Sequence, residues 1–314
     1  MRRFILISHL KIHNANAMSS PFTIGFPAMT AWLGVIHALQ RNLKEKGFDG
    51  LILDKVAVSC HEFNLQTYKG ENDFENSIII NKTPLIFDKK YTGRYPKGTF
   101  PNMYEAPLIG DGFIEEARCH LDISLLIEYS NVDAEQTLNF LQSIEAIIPT
   151  MKFASGDIIS FRNCETLSFN ENKDEDQELR KISNKLMLGH VLIERRDLVI
   201  ESMKQGKDAL DAVLDYLKVT HSSSVDENGK VIWTSKRNAQ GWLVPIAVGF
   251  QGISELGIAK NQRDADTPHR FAEAVLTLGE FIMPYRIESI DQLLWQYHVD
   301  LENNLYLCQN STTI

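Results

Sequence analysis

Asn14, Asn16, Ser19 and Ser20 fall in one stretch, KIHNANAMSSPFTIGFP, from Lys11 to Pro27. Short amides and hydroxyls at this density can do two things. They can cap the surrounding backbone, or they can hydrogen-bond base edges and phosphate oxygens of an unpaired strand. A polar loop this long between a first strand and a first helix favours binding. His37 and Arg41 follow on the helix. An imidazole there can brace the loop, contact nucleic acid, or act as general acid or base. A metal-free nuclease would also need an activating or oxyanion-stabilising partner, and the sequence fixes none. Arg263 and Arg270 flank TPH in a late polar loop, as solvated charges or as phosphate ligands.

Other chemistries are excluded by spacing. There is no G-x-x-x-x-G-K-[ST] loop, no G-x-G-x-x-G after a strand, no H-E-x-x-H, G-x-S-x-G or kinase motif. His9 and His13 are four apart, but in a predicted strand. They lack the helical geometry of a zinc pair, so no metal and no cofactor are expected. The four cysteines, Cys60, Cys119, Cys164 and Cys308, form no C-x-x-C pair and read as reduced, packed side chains. Net charge is −9 over 314 residues, yet residues 1–48 hold six Lys/Arg against one acid. Lys82, Lys89, Lys90, Arg94 and Lys97 face only Asp88 in residues 81–104. A local cationic surface can thus sit on an acidic protein.

The elements that must position these groups follow from periodicity. Residues 4–12 alternate as a strand. Ala31–Lys46 places Trp32, Val35, Ile36, Leu39 and Leu43 at helical spacing and ends at Gly47. LILDKVAVSCHEFNLQT is a second strand. A polar excursion over 68–116 reads as an arm. EARCHLDISLLIEYS is a strand, DAEQTLNFLQSIEAIIP a helix with Asp133 as N-cap, and KFASGDIISF a turn and strand. The order predicts an α+β protein with a ferredoxin-like, RRM-like βαββαβ core; a doubly wound sheet is the alternative. The domains expected are 1–165, carrying the inserted arm at about 68–116, and 166–314, a mixed helical and strand extension packing on the core. In that half DLVIESMKQ, KDALDAVLDYLKVT and SIDQLLWQYH read as helices, HSSSVDENGK as a polar loop, and GWLVPI and NNLYLC as strands. Trp32, Trp242 and Trp295 read as core rather than stacking platforms. No run is long and apolar enough to span a membrane, and a cytoplasmic protein is expected.

IHNANAMSSPFTIGFP with GVIHALQR, then EEARCHLDISLL, FASGDIIS, GWLVPI, RDADTPHRFAE with LGEF, and LLWQYH closely resemble, in order, the second Csy subunit family of type I-F CRISPR surveillance complexes, in the Cas-five group. The resemblance spans about Ile12 to Tyr306. It implies a non-catalytic scaffold that binds the 5′ handle of the CRISPR RNA, pairs with the large Csy subunit, abuts a neighbouring backbone subunit through a thumb-like arm, and reaches target DNA through the complex. A metal-independent CRISPR RNA endonuclease on the same fold, with His37 as acid or base, is the alternative. By motif position the resemblance assigns RNA binding to Asn14, Asn16, Ser19, Ser20, His37, Arg41, Arg263 and Arg270. Gly249 and Gly252 would permit close backbone approach to the pocket. Lys89, Lys90, Arg94 and Lys97 in the arm would track the guide backbone or form a solvated insertion.

Overall fold

The computed structural model describes residues 1–78, 80–81, 116–171, 174–260, 262, 264 and 266–310. Its strands are β1 (Arg2–Asn16), β2 (Met18–Ser20), β3 (Thr23–Ile24), β4 (Ile52–Leu65), β5 (Thr67–Tyr68), β6 (Ser77–Ile78), β7 (Ile80–Asn81), β8 (Glu116–Ser130) and β9 (Lys152–Phe153). They continue with β10 (Gly156–Ser160), β11 (Asn163–Phe169), β12 (His190–Glu194), β13 (Thr220–Val225), β14 (Val231–Lys236), β15 (Trp242–Gly252), β16 (Ala272–Ile282), β17 (Trp295–Asp300) and β18 (Leu305–Asn310). The helices are α1 (Met29–Lys44), α2 (Thr137–Ile147), α3 (Glu175–Leu186), α4 (Arg196–Lys204) and α5 (Ala209–Leu217).

The chain is mixed α and β, dominated by one antiparallel sheet of twelve strands among the described residues. Its path runs β12-β16-β15-β18-β17-β4-β8-β1-β10-β9, with β11 also on β1 and β7 on β8. β8 is the spine, and period-two alternation sorts its side chains. Leu121, Ile123, Leu125, Ile127 and Tyr129 join the core under α1 and α2. Leu126 faces the other way, into a second core beneath α3 and the segment Ile287–Leu294. Trp32, Leu33, Val35, Ile36, Leu39 and Leu43 of α1 are buried, at helical spacing, against the first face. Each such apolar side chain contributes roughly 1.5–3 kcal/mol.

Four expectations change. The first strand runs to Asn16 rather than stopping near residue 12, and Met18–Ile24 closes a small β2–β3 hairpin. The polar stretch is therefore largely strand and hairpin, because β1 keeps pairing with β8 through Ala15 and Asn16 while Ser19 and Ser20 bond within the hairpin. HSSSVDENGK belongs to the β13–β14 hairpin: Asp226 Oδ1 accepts the Asn228 and Lys230 amides at 2.9 and 2.8 Å, and Gly229 supplies φ 75°. SIDQLLWQYH is a 3₁₀ turn (Ile290–Gln292) leading into β17. Trp295 pairs with Val56 and its indole donates to the Leu192 carbonyl at 2.8 Å, so tertiary pairing overrides local helical spacing. Asp133 precedes a 3₁₀ turn, but its side chain makes no cap bond. The strands of 166–314 extend the same sheet, since β12 and β17 both pair with β4. No helix among the described residues is long and apolar enough to cross a membrane.

Candidate nucleic-acid interface

Two bulges shape β1. Its register on β8 shifts between Ile7 and Leu10 and again between Ile12 and Ala15. At each bulge a non-glycine residue takes left-handed backbone, His9 at φ 51° and Asn14 at φ 56°. The freed amides find side chains on β8: His9 N–H donates to Ser124 Oγ at 3.2 Å, and Asn14 N–H to His120 Nδ1 at 3.2 Å. β4 bulges against β8 as well, between Cys60 and Glu62. Bulges twist strands and re-aim side chains. They gather His9, Lys11, His13, His61, Arg118, His120 and Asp122 on the face away from α1. Beyond α3 this face is polar and partly open: Lys11 and His13 are exposed, and His9, His61, His120 and Asp122 half-buried.

Asn14 is held in this face. Its Oδ1 accepts from Gln66 Nε2 at 2.7 Å and its carbonyl from Arg118 at 3.0 Å. His13 and His120 pack ring to ring at 4.5 Å, and His9 stacks on His61 at 4.2 Å. Burial, then the neighbouring His9, lowers the His61 pKa, so its ring is neutral at pH 7.

Around the sheet edge, a depression of about 280 Å³ opens at the start of α1, lined by Asn16, Ser19, Thr30 and Ser155 among others. Ala28 is the N-cap residue, and no side chain caps the first turn. Free amides and the helix dipole make such an end a favourable place for an anion. The β9–β10 turn forms the far wall: Ala154 and Ser155 have φ 46° and 65°, and the Ala154 carbonyl accepts from Asn16 N–H at 2.7 Å. Asn16 Oδ1 accepts from Met18 N–H at 3.0 Å. Ser19 and Ser20 both bond Thr23 Oγ1, at 2.9 and 2.8 Å, and Ser20 is buried. Of the four polar residues read from the sequence, Asn16 and Ser19 reach the depression, Asn14 lies on the sheet face, and Ser20 braces the hairpin.

His37 and Arg41 are exposed one turn apart on α1, and among the described residues neither side chain makes a hydrogen bond, while the Arg41 carbonyl accepts the Glu45 amide at 3.2 Å. His37 therefore stands clear of the loop and braces nothing in it. Arg270 donates to Asn304, and its buried Nε has no partner among the described residues. Gly249 and Gly252 do permit close approach, but of this chain itself. A Cβ on Gly249 would run into the Tyr306 carbonyl, and one on Gly252 into the Arg270 side chain. Arg263 and the arm residues Lys89, Lys90, Arg94 and Lys97 lie outside the described residues. Arg2 is committed to Glu128 at 2.7 Å and Asp291 at 2.9 Å, and Arg3 to the Val132 carbonyl. The amino-terminal charge excess is thus partly structural. Trp32 and Trp295 are fully buried, as expected, while Trp242 is 51% exposed with its ring tilted against Phe281. His61, Gln66, His120, Asp122 and Ser155 were not singled out from sequence. Only strand pairing brings them to the site.

A comparison with family models matches residues 5–308 to the family described as CRISPR-associated protein (Cas_Csy2). Among curated proteins, CRISPR-associated protein Csy2 of Pseudomonas aeruginosa (strain UCBPP-PA14) is 30% identical over 332 residues, covering 96% of this chain and 93% of that protein.

Proposed function

This chain belongs to the Cas_Csy2 family of CRISPR-associated proteins, the second Csy subunit of type I-F complexes, and from that premise we propose that it holds the 5′ handle of the CRISPR RNA without turning it over. Strand order supports an RRM-like reading of the core. α1 links β1 to β4, which flank β8, and α2 links β8 to β10, so the order β4-β8-β1-β10 matches the split βαβ arrangement. In such domains bases stack on side chains of the open sheet face. Here that face carries His13 and His120 with Lys11.

The observation that carries the proposal is the uncapped α1 N-terminus opening into a depression edged by Asn16, Ser19, Thr30 and Ser155. It suits a backbone phosphate, with the imidazole-bearing face around the edge for adjacent bases. Handle binding of this kind needs shaped polar groups rather than a basic protein, which fits a net charge of −9. The β13–β14 hairpin exposes Val225, Val231 and Trp233 at 68%, 53% and 70%, apolar surface of the kind a subunit contact covers. The large Csy subunit and the neighbouring backbone subunit are the partners proposed, with target DNA reached through the assembly in the cytoplasm.

The test is binding of a labelled RNA carrying the repeat-derived 5′ handle. Thr30→Glu places an acid in the first turn of α1, where it suits the helix but repels phosphate. It should weaken binding at least tenfold, about 1.4 kcal/mol, with the melting temperature kept. Equal affinity in a folded variant removes the depression from the RNA path. Incubation of the same RNA with the protein in chelator should leave it intact; cleavage lost in His37→Ala would establish the nuclease instead.

A further inference from the structure

We propose that His9, His61 and Asp122 form a binding site for one divalent transition-metal ion of zinc-like chemistry, set into the sheet face beside the proposed RNA surface. One ring nitrogen of each histidine and one carboxylate oxygen lie within 4.8 Å of one another. The three residues come from β1, β4 and β8, adjacent strands of one sheet, so their backbones are fixed by ladder pairing on both sides of β8. The two histidines reach this point only because of bulges. His9 holds left-handed backbone at φ 51°, a conformation a non-glycine residue adopts at a cost and one that concentrates at functional sites. His61 is the extra residue of β4, lying between Cys60, which pairs with Ile123, and Glu62, which pairs with Asp122.

The polar bonding of the trio is incomplete. His9 Nδ1 lies 3.0 Å from Asp122 Oδ1, and His61 Nε2 lies 2.7 Å from Ser124 Oγ. Among the described residues His61 Nδ1 is buried with no hydrogen-bond partner, close to the Leu188 backbone. A cation on one ring nitrogen would fix the tautomer and direct the other N–H at an oxygen, Ser124 Oγ or the Leu188 carbonyl, the outer contact that metal-bound histidines ordinarily make. Gly189 lets the chain close over this ring, since a Cβ there would lie 3.0 Å from His61 Nδ1.

The donor set selects the ion. Two imidazoles and one carboxylate favour zinc and its first-row neighbours over magnesium or calcium, which prefer oxygen. Drawing the trio onto one ion brings its ligand atoms to about 3.3 Å apart for a tetrahedral centre, a closure made by side-chain rotation. The His9 side chain is 34% exposed and Asp122 16%, so an ion in solution can reach the trio. Cys60 is not a ligand, because it is buried in the core on the opposite face.

The experiment uses the full-length chain, stripped with chelator and titrated with Zn²⁺ against a competing chromophoric chelator. One equivalent should bind, and His61→Ala and Asp122→Asn should each lower the affinity at least tenfold. His13→Ala, in the separate pair with His120, should leave it unchanged. Circular dichroism of each metal-free variant checks the fold. Should a variant not fold, Co²⁺ added to the unaltered chain decides: the ring-proton resonances of His9 and His61 should shift, and those of His37 and His221 should not. Absence of stoichiometric binding, an affinity indifferent to the substitutions, or shifts confined to other histidines would overturn the site. RNA affinity is not the readout, so the outcome is separable from the proposed handle binding.

Discussion

Ser20 illustrates how a residue's type fixes what it can bond but not what it does bond. Its hydroxyl meets Thr23 Oγ1 and the Phe22 amide and is buried, so these two bonds close the hairpin. Gly249 makes the same point for backbone. Its missing side chain makes room for β18, and the obstacle to a Cβ is carbonyl backbone rather than a movable side-chain tip. Gly249→Ala should therefore destabilise the fold by about 1–3 kcal/mol, visible as a lowered denaturant midpoint; a neutral change would refute the packing role. The cysteines give a second test. Burial pushes the Cys60, Cys119, Cys164 and Cys308 thiols up to about 12. Native protein at pH 8 should resist iodoacetamide at all four, and denatured protein should react at four. Rapid labelling of any of them without denaturant contradicts this.

α1 combines two roles that can be separated at the level of the element. Its buried stripe from Met29 to Leu43 anchors it on the sheet. Its first turn, by contrast, lacks a capping side chain, a local omission that costs about 1 kcal/mol relative to Asp or Ser at that place. Ala28→Asp should restore the cap and raise stability by about 0.5–2 kcal/mol, while weakening handle RNA because a carboxylate then occupies the anion position. A variant gaining both stability and RNA affinity would show that no phosphate sits there. β1 is the companion element. Two left-handed residues, His9 and Asn14, break an otherwise regular strand, and both use their amides on β8 side chains.

The molecule as a whole is tied together by β4. It pairs with β8 on one side and with β12 and β17 on the other, so residues before and after 165 share one hydrogen-bonded sheet. Unfolding should accordingly be one cooperative transition by circular dichroism and tryptophan fluorescence, since Trp32 and Trp295 report from either half. Two separated transitions would mean the halves fold independently. Stability at this scale is distributed: one core lies under α1 and α2, and another lies beneath α3 and the Ile287–Leu294 segment.

The amino-acid sequence by itself determined the elements whose periodicity is long and unambiguous. α1, β4, β8, α2, α4 and α5 are legible because apolar spacing over ten or so residues outweighs any single neighbour. It also determined the family, through ordered motifs spread along nearly the whole chain, and the packed state of the cysteines. Tertiary structure decided the rest. The serine-rich HSSSVDENGK and the apolar SIDQLLWQYH changed assignment because cross-strand partners, absent from any local window, stabilise β13–β14 and β17. His61, His120 and Asp122 meet His9 and Asn14 only because antiparallel register places residues more than fifty positions apart side by side, and a bulge of one residue decides which face each imidazole takes. Sequence separation carries no trace of that alignment, so a site built across three strands exists only in the folded sheet.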